Sequence, residues 1–336
     1  MKWDFAIGNP PYMESTDSDS SRMPPVYNYF MDAAYDIAEK VELITPARFL
    51  FNAGYTPKPW NEKMLNDPHF KVMEYETDAS KIFANTDIKG GIAISYRDNE
   101  RVFGAIETFT KYPELNAILR KVKGALANGS MASIAFPPLS YGLSDAAKRD
   151  YPDSIGRLRT SAFIKLSDIF FNSPPKDDNE YIAIIGLEKL KRKTMYVKRK
   201  YIVDKNGILD KWNLIIPEAA GIGSFGEKTP SPEVAPPSTA FLQTFVGLGA
   251  FDTDEEIEPL KKYIKTKFAR ALLGVYKITQ HCSPSVWREV PLQNFTHKSD
   301  INWNTSIANI DKQLYKKYGL SQEEIDFIET HVKEMA

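Results

Sequence analysis

The chain has little of what binds metals or cross-links a fold. A single cysteine, Cys282, stands among 336 residues, so no disulfide can form within the chain and a reducing, cytoplasmic setting is expected. The four histidines, His69, His281, His297 and His331, are scattered; with one cysteine they give no metal-ligand spacing, which argues against a structural zinc site. No apolar run reaches the roughly 20 residues needed to cross a bilayer. The opening residues also lack the apolar region and small-residue cleavage site of a signal peptide. An excess of one charge is missing too. Lys and Arg number 43 against 44 Asp and Glu, for a formal charge of −1. No global field attracts a polyanion, and only a local patch could serve nucleic acid.

What is present is ordinary for a soluble globular protein, with 43% hydrophobic and 26% charged residues, and the length allows two or three domains. The informative stretch is the first, MKWDFAIGNPPY. Trp3-Asp4-Phe5-Ala6-Ile7 predicts a short apolar strand of a parallel sheet, covered on both faces. Gly8, Pro10 and Pro11 end it, because proline cannot donate to a strand ladder. Asn9-Pro10-Pro11-Tyr12 therefore sits at the carboxyl end of a strand, where open α/β sheets bind ligands. The prolines stiffen the backbone, so the Asn9 side chain and the Asn9 and Pro10 carbonyls present acceptors in fixed directions beside the flat ring of Tyr12. Such a corner suits a planar group with an exocyclic amine: holding both amine hydrogens localises the nitrogen lone pair by positioning and electrostatics.

IGNPPY resembles motif IV of the amino methyltransferases, which move a methyl group from S-adenosylmethionine to an exocyclic or amide nitrogen. The following residues agree. Residues 26–38 carry apolar side chains at helical spacing, Val41-Glu42-Leu43-Ile44-Thr45 predicts a strand, and Pro46 opens a predicted helix through Arg48, Phe49 and Leu50. This resembles motif V, with Phe49 and Leu50 as core residues. Phe70-Lys71-Val72-Met73-Glu74-Tyr75 and Gly91-Ile92-Ala93-Ile94-Ser95-Tyr96 predict two more strands, separated by the turn-rich Asn85-Thr86-Asp87. The resemblance makes these the terminal antiparallel pair of a methyltransferase sheet. It also implies that Tyr96 stacks on the second face of a base flipped from its duplex, opposite Tyr12.

The chain ends in a predicted helix, a stop at Gly319, a Ser321 cap with Glu324 three residues on, and a second helix. That ending resembles the close of adenine-specific DNA methylases fused into type II restriction-modification proteins. The resemblance implies an α/β fold: a partial Rossmann-like methyltransferase sheet, its carboxyl-terminal half, over 1–102. A mixed α+β target-recognition region follows over 103–298, then a helical tail over 299–336 packed on that region. Within the middle, Leu115 to Leu126 predicts a helix and Tyr181 to Leu187 a strand. The run after it places Lys191, Arg192, Lys193, Lys198, Arg199 and Lys200 on a basic ribbon with Tyr196 and Tyr201 interleaved, a candidate for contact with DNA phosphates. Residues 261–277 predict one basic helix with Ile264, Phe268, Leu272 and Val275 on a core face. Pro230 to Pro237 predicts a spacer.

Two motifs are lacking. No Glu-x-Lys occurs, so the usual nuclease signature is missing. Gly221-Ile222-Gly223-Ser224-Phe225-Gly226 matches a dinucleotide fingerprint in letters only, since a proline-rich segment follows where a phosphate-binding helix is needed. The glycine-rich loop of the resembled methylases precedes NPPY, and no such loop is found here. The expected function is therefore site-specific adenine methylation on double-stranded DNA with an incomplete S-adenosylmethionine site, the missing amino-terminal half coming from a partner subunit. The alternatives are a non-catalytic DNA-recognition module and an inactive remnant.

Overall fold

A computed structural model describes residues 2–14, 24–52, 55–83, 88, 90–152, 158–188, 191–277 and 280–335. By its internal contacts the chain divides into a unit of residues 1–116 and a unit of residues 117–336. The stretch Ser15-Thr16-Asp17 after the NPPY corner, the Asn85-Thr86-Asp87 turn and Lys189 lie outside the described residues.

In the first unit, β1 (Trp3–Gly8), α1 (Tyr27–Ile37), β2 (Ala38–Pro46), α2 (Lys58–Asn66), β3 (Phe70–Glu76) and β4 (Ile92–Asp98) follow one another. The sheet order is β1-β2-β4-β3. β1 runs parallel to β2, with Ile7 opposite Glu42, and β4 is antiparallel to both β2 and β3. Strand alternation sorts the side chains. Val41, Leu43, Phe70 and Ala93 join Tyr27 and Met31 of α1, Trp60 and Met64 of α2, and Phe49 and Leu50 in one core. Asp32 ties the two helices, accepting from Trp60 Nε1 at 3.0 Å and from Lys63 Nζ at 2.9 Å.

Two expectations are corrected here. Pro46 does not open a helix; it ends β2, and Arg48–Phe51 makes one 3₁₀ turn that stops at Asn52 in left-handed backbone. Phe49 and Leu50 are nonetheless buried. Nor is β1 covered on both faces, for Trp3 is 71%, Phe5 49% and Ile7 75% exposed. Among the described residues β1 is an edge strand. The unit also runs beyond residue 102, because Ile106 and Phe109 pack on the same core and the Phe103 N–H donates to the Pro68 carbonyl at 2.7 Å.

The second unit begins within α3 (Pro113–Leu126) and continues through β5 (Ala135–Phe136), β6 (Tyr141–Leu143), α4 (Asp145–Asp150), α5 (Ala162–Lys165), β7 (Tyr181–Glu188), β8 (Lys191–Lys198) and β9 (Ile202–Asp204). Then come β10 (Trp212–Pro217), β11 (Glu233–Ala235), β12 (Thr239–Phe241), β13 (Phe245–Phe251), α6 (Ile257–Tyr263), α7 (Lys267–Leu273), α8 (Ile307–Lys317) and α9 (Gln322–His331). The sheets are ordered β11-β10-β13-β5, β12-β7-β8 and β6-β9. Ile182 and Ile184 of β7, Val197 of β8, Ile215 of β10 and Phe241 of β12 share a core with Tyr141, Phe163 and Phe245.

Two further expectations fail. The predicted spacer contains β11, paired with β10. The predicted basic helix is two, α6 and α7, broken where Thr266 accepts from the Ala269 N–H as a cap. The tail follows the sequence: Gly319 has a φ of 60°, a conformation that favours glycine, and Ser321 with Glu324 forms a capping box.

Candidate active site

β1 delivers Asn9-Pro10-Pro11-Tyr12 at its carboxyl end, and the next described contacts hold the corner in place. The Val26 N–H donates to the Tyr12 carbonyl at 3.1 Å and the Glu14 N–H to the Pro24 carbonyl at 3.0 Å. Asn9 and Pro11 are exposed, while Pro10 and Tyr12 are half-buried. Neither the Asn9 side chain nor the Pro10 carbonyl makes a hydrogen bond with the described residues. The acceptors are free because both prolines lack a donor and the turn closes without them. Tyr12 packs at the margin of the core of the first unit. Its hydroxyl is buried without a partner, and burial pushes its pKa up to about 12. At neutral pH Tyr12 is therefore an uncharged ring, suited to packing and not to proton abstraction.

Tyr96 is not the opposite wall of that corner. It stands on β4 across from Glu42 and Lys71, one residue out of phase with Ala93 and Ser95. Alternation sends it to the face away from the helix-packed core that Tyr12 joins. There it meets Phe5 at 6.4 Å and Phe103 at 6.1 Å between ring centroids, with Lys71 Nζ 5.5 Å from its ring. Its hydroxyl donates to Asp98 Oδ2 at 3.0 Å, and burial followed by that bond raises its pKa. The sequence reading missed Phe103 and Lys71. An aromatic soon after a strand end was the only signal for the first, and nothing marked the second.

The basic ribbon forms β8 and the turn after it, but carboxylates both near and distant in sequence neutralise four of its six cations. Arg192 pairs with Glu233 at 2.5 Å, Lys193 with Glu188 at 3.0 Å, Lys200 with Asp150 at 3.3 Å, and Arg199 with both Asp210 and Glu180. Lys191 and Lys198 form no ion pair with the described residues. Exposed pairs contribute only ~0–1 kcal/mol, so a phosphate could replace a carboxylate at small cost.

The glycine-rich loop at 221–226 holds an anion, but its own. The N–H groups of Ile222 and Gly223 donate to the Glu227 carboxylate at 3.0 and 3.1 Å, and Lys277 Nζ reaches it at 2.5 Å. A Cβ at Gly221, which has a φ of 70°, would lie 2.4 Å from Glu227 Oε1. The stretch from Gly249 to Glu256 is equally unsuited to a phosphate or a cofactor, since its 3₁₀ turn Asp254–Glu256 is acidic throughout. Neither this stretch nor the loop at 221–226 fits S-adenosylmethionine. Among the described residues no group of His, Cys, Asp and Glu could hold a metal ion, and no helix is long and apolar enough to cross a membrane.

Residues 1–83, which contain this corner, match the family described as Eco57I restriction-modification methylase. Over 95 residues the chain is 30% identical to a Mycoplasma pneumoniae protein described as an uncharacterized adenine-specific methylase. The match covers 27% of this chain and 22% of that relative. Two solved structures are similar at 9% identity. One is the type IIL restriction-modification enzyme MmeI in complex with DNA, with a TM-score of 0.35 over 97% of this chain and 56% of that one. The other is the type IIG restriction endonuclease BpuSI, with a TM-score of 0.29 over 98% and 54%. The family match is thus confined to residues 1–83, and the chain spans about a fifth of the curated relative and little more than half of each of these two structures.

Proposed function

We propose that the chain acts in site-specific DNA adenine methylation as part of a restriction-modification system, and that its own contribution is to hold the adenine amine. The observation that carries this is the pair of free acceptors, Asn9 Oδ1 and the Pro10 carbonyl, on a stiff corner at the end of β1. In this reading an adenine leaves its duplex at a cost of a few kcal/mol and its ring packs against Tyr12. Each amine hydrogen donates to one acceptor, so the lone pair stays on the nitrogen and points at the methyl group to be received. No base removes a proton beforehand. The proton is lost to water after transfer.

The strand order β1-β2-β4-β3, with a lone antiparallel strand second from the edge, supports a partial Rossmann-like methyltransferase sheet. The apolar edge strand β1 supports pairing with a strand from another methyltransferase segment, carried by a partner subunit. S-adenosylmethionine, the donor such chemistry implies, finds no cradle among the described residues, and the role assigned here stops at the amine. Lys191, Lys193, Lys198, Arg199 and Lys200 are the proposed contacts to DNA phosphates.

The test is transfer of a labelled methyl group to adenine in DNA, by the chain alone and with a polypeptide carrying a glycine-loop half. Transfer is expected only in the mixture, with Asn9→Ala lowering it roughly 10²- to 10³-fold and leaving the fold intact. Transfer by the chain alone would refute the incomplete cofactor site. Full activity of Asn9→Ala would refute the amine corner.

A further inference from the structure

The second unit contains a cleft of about 400 Å³ that the proposed reaction does not use. It forms where the carboxyl end of β10, the amino end of β13 and the turn end of the β7–β8 hairpin come together, with Pro217 opposite Phe245 and Leu187 opposite Arg192. The volume falls in the usual range for ligand pockets, ~300–1,000 Å³.

Its polar groups are partly unsatisfied. The Gln243 N–H donates to the Leu158 carbonyl at 3.2 Å, which fixes the backbone, while the side-chain amide makes no hydrogen bond with the described residues. The Thr244 hydroxyl is buried without a partner. Glu218 accepts from His281 Nδ1 at 2.9 and 3.1 Å and adds a carboxylate to the wall. Arg192 is held by Glu233 at 2.5 Å and by the Ser231 carbonyl at 3.3 Å, with its guanidinium over the Phe245 ring at 5.6 Å. A buried hydroxyl without a partner costs stability. A cleft that carries one beside a free amide is built for a ligand that brings donors and acceptors of its own.

A nucleobase meets these terms. A glutamine amide pairs with two atoms on an adenine edge, a carboxylate accepts from an exocyclic amine, and a guanidinium plane stacks on a base face. We propose that this cleft reads one base of the DNA target once it is unstacked from its neighbours, with Gln243 and Glu218 at the hydrogen-bonding edge and Arg192 on the uncovered face. The proposal rests on the DNA-binding part of the reading above. It also gives Arg192 a different task from its neighbours along the ribbon: lining the cleft with its guanidinium over Phe245, it serves base choice and not phosphate attraction.

The test uses the full chain and a pool of duplexes with a randomised core, sequencing the bound fraction for wild type and for Gln243→Ala. The Gln243 side chain holds nothing in place, so the variant should melt with the wild type. Wild type should recover a motif. Gln243→Ala should lose discrimination at one position by roughly tenfold or more, with the rest of the motif and the affinity for random DNA unchanged. An unchanged motif, a motif weakened evenly at every position, or a wild-type pool that stays random overturns the base-reading cleft and leaves the amine corner standing. Failure of wild type to bind DNA at all, even at low salt, overturns both.

Discussion

The two units treat their apolar strands in opposite ways. In the first, β1 leaves Trp3, Phe5 and Ile7 largely in solvent on an edge strand, and only the opposite face of the sheet is packed by helices. In the second, β7 buries Ile182, Ile184 and Ile185, β10 buries Leu214, Ile215 and Ile216 and β12 buries Phe241, while polar groups remain unsatisfied at specific points such as Thr244. A face that stays open although the residues on it are large and apolar is a face whose stability depends on something else covering it. A face closed by its own sheets is free to spend its exceptions on recognition.

Substitutions can break that contrast. Phe241 is 1% exposed and meets Tyr141 edge-on at 5.2 Å. Phe241→Ala should cost the second unit about 3–5 kcal/mol in urea unfolding followed by tryptophan fluorescence; a loss below 1 kcal/mol would mean that this core is loose. The next effect is one of pH. Asp311 accepts the Lys267 and Phe268 N–H groups at the start of α7, at 3.0 and 2.9 Å, and burial pushes its pKa up to about 6. The folded chain therefore holds a proton that the unfolded chain has released between the ordinary carboxylate value and about pH 6, so stability contributed by this group falls as pH rises through that window. Compared with Asp311→Asn, the wild type should gain on the order of 2 kcal/mol as pH is lowered from 7 to 4. A difference that does not vary with pH would remove Asp311 as the cause. Smallest is the change at the open edge. Ile7→Thr should alter stability by less than about 0.5 kcal/mol, while reducing self-association measured by sedimentation. A large loss of stability would show that the edge of β1 is already covered.

The gap between reading and fold is clearest in the basic ribbon. The sequence showed six cations close together, but Glu233 lies 41 residues from Arg192 and Asp150 lies 50 from Lys200, so their neutralisation could not be read locally. The same holds for Tyr12 and Tyr96. Both were legible as aromatics near strand ends, but which face each occupies depends on register across three strands. The break at Thr266 was missed because apolar spacing continues through it, and β11 was missed because proline-rich composition masked a short strand.

Local chemistry was enough to determine the NPPY corner, the strands and first helix around it, and the capped helices of the tail, because prolines, alternation and capping residues act within a few positions. Only the tertiary structure decided that Trp3, Phe5 and Ile7 of β1 stand largely exposed, that Glu227 fills the glycine-rich loop, and that Gln243, Glu218 and Arg192 share one cleft. Those outcomes depend on which distant segments pair, and no short window of sequence carries that information.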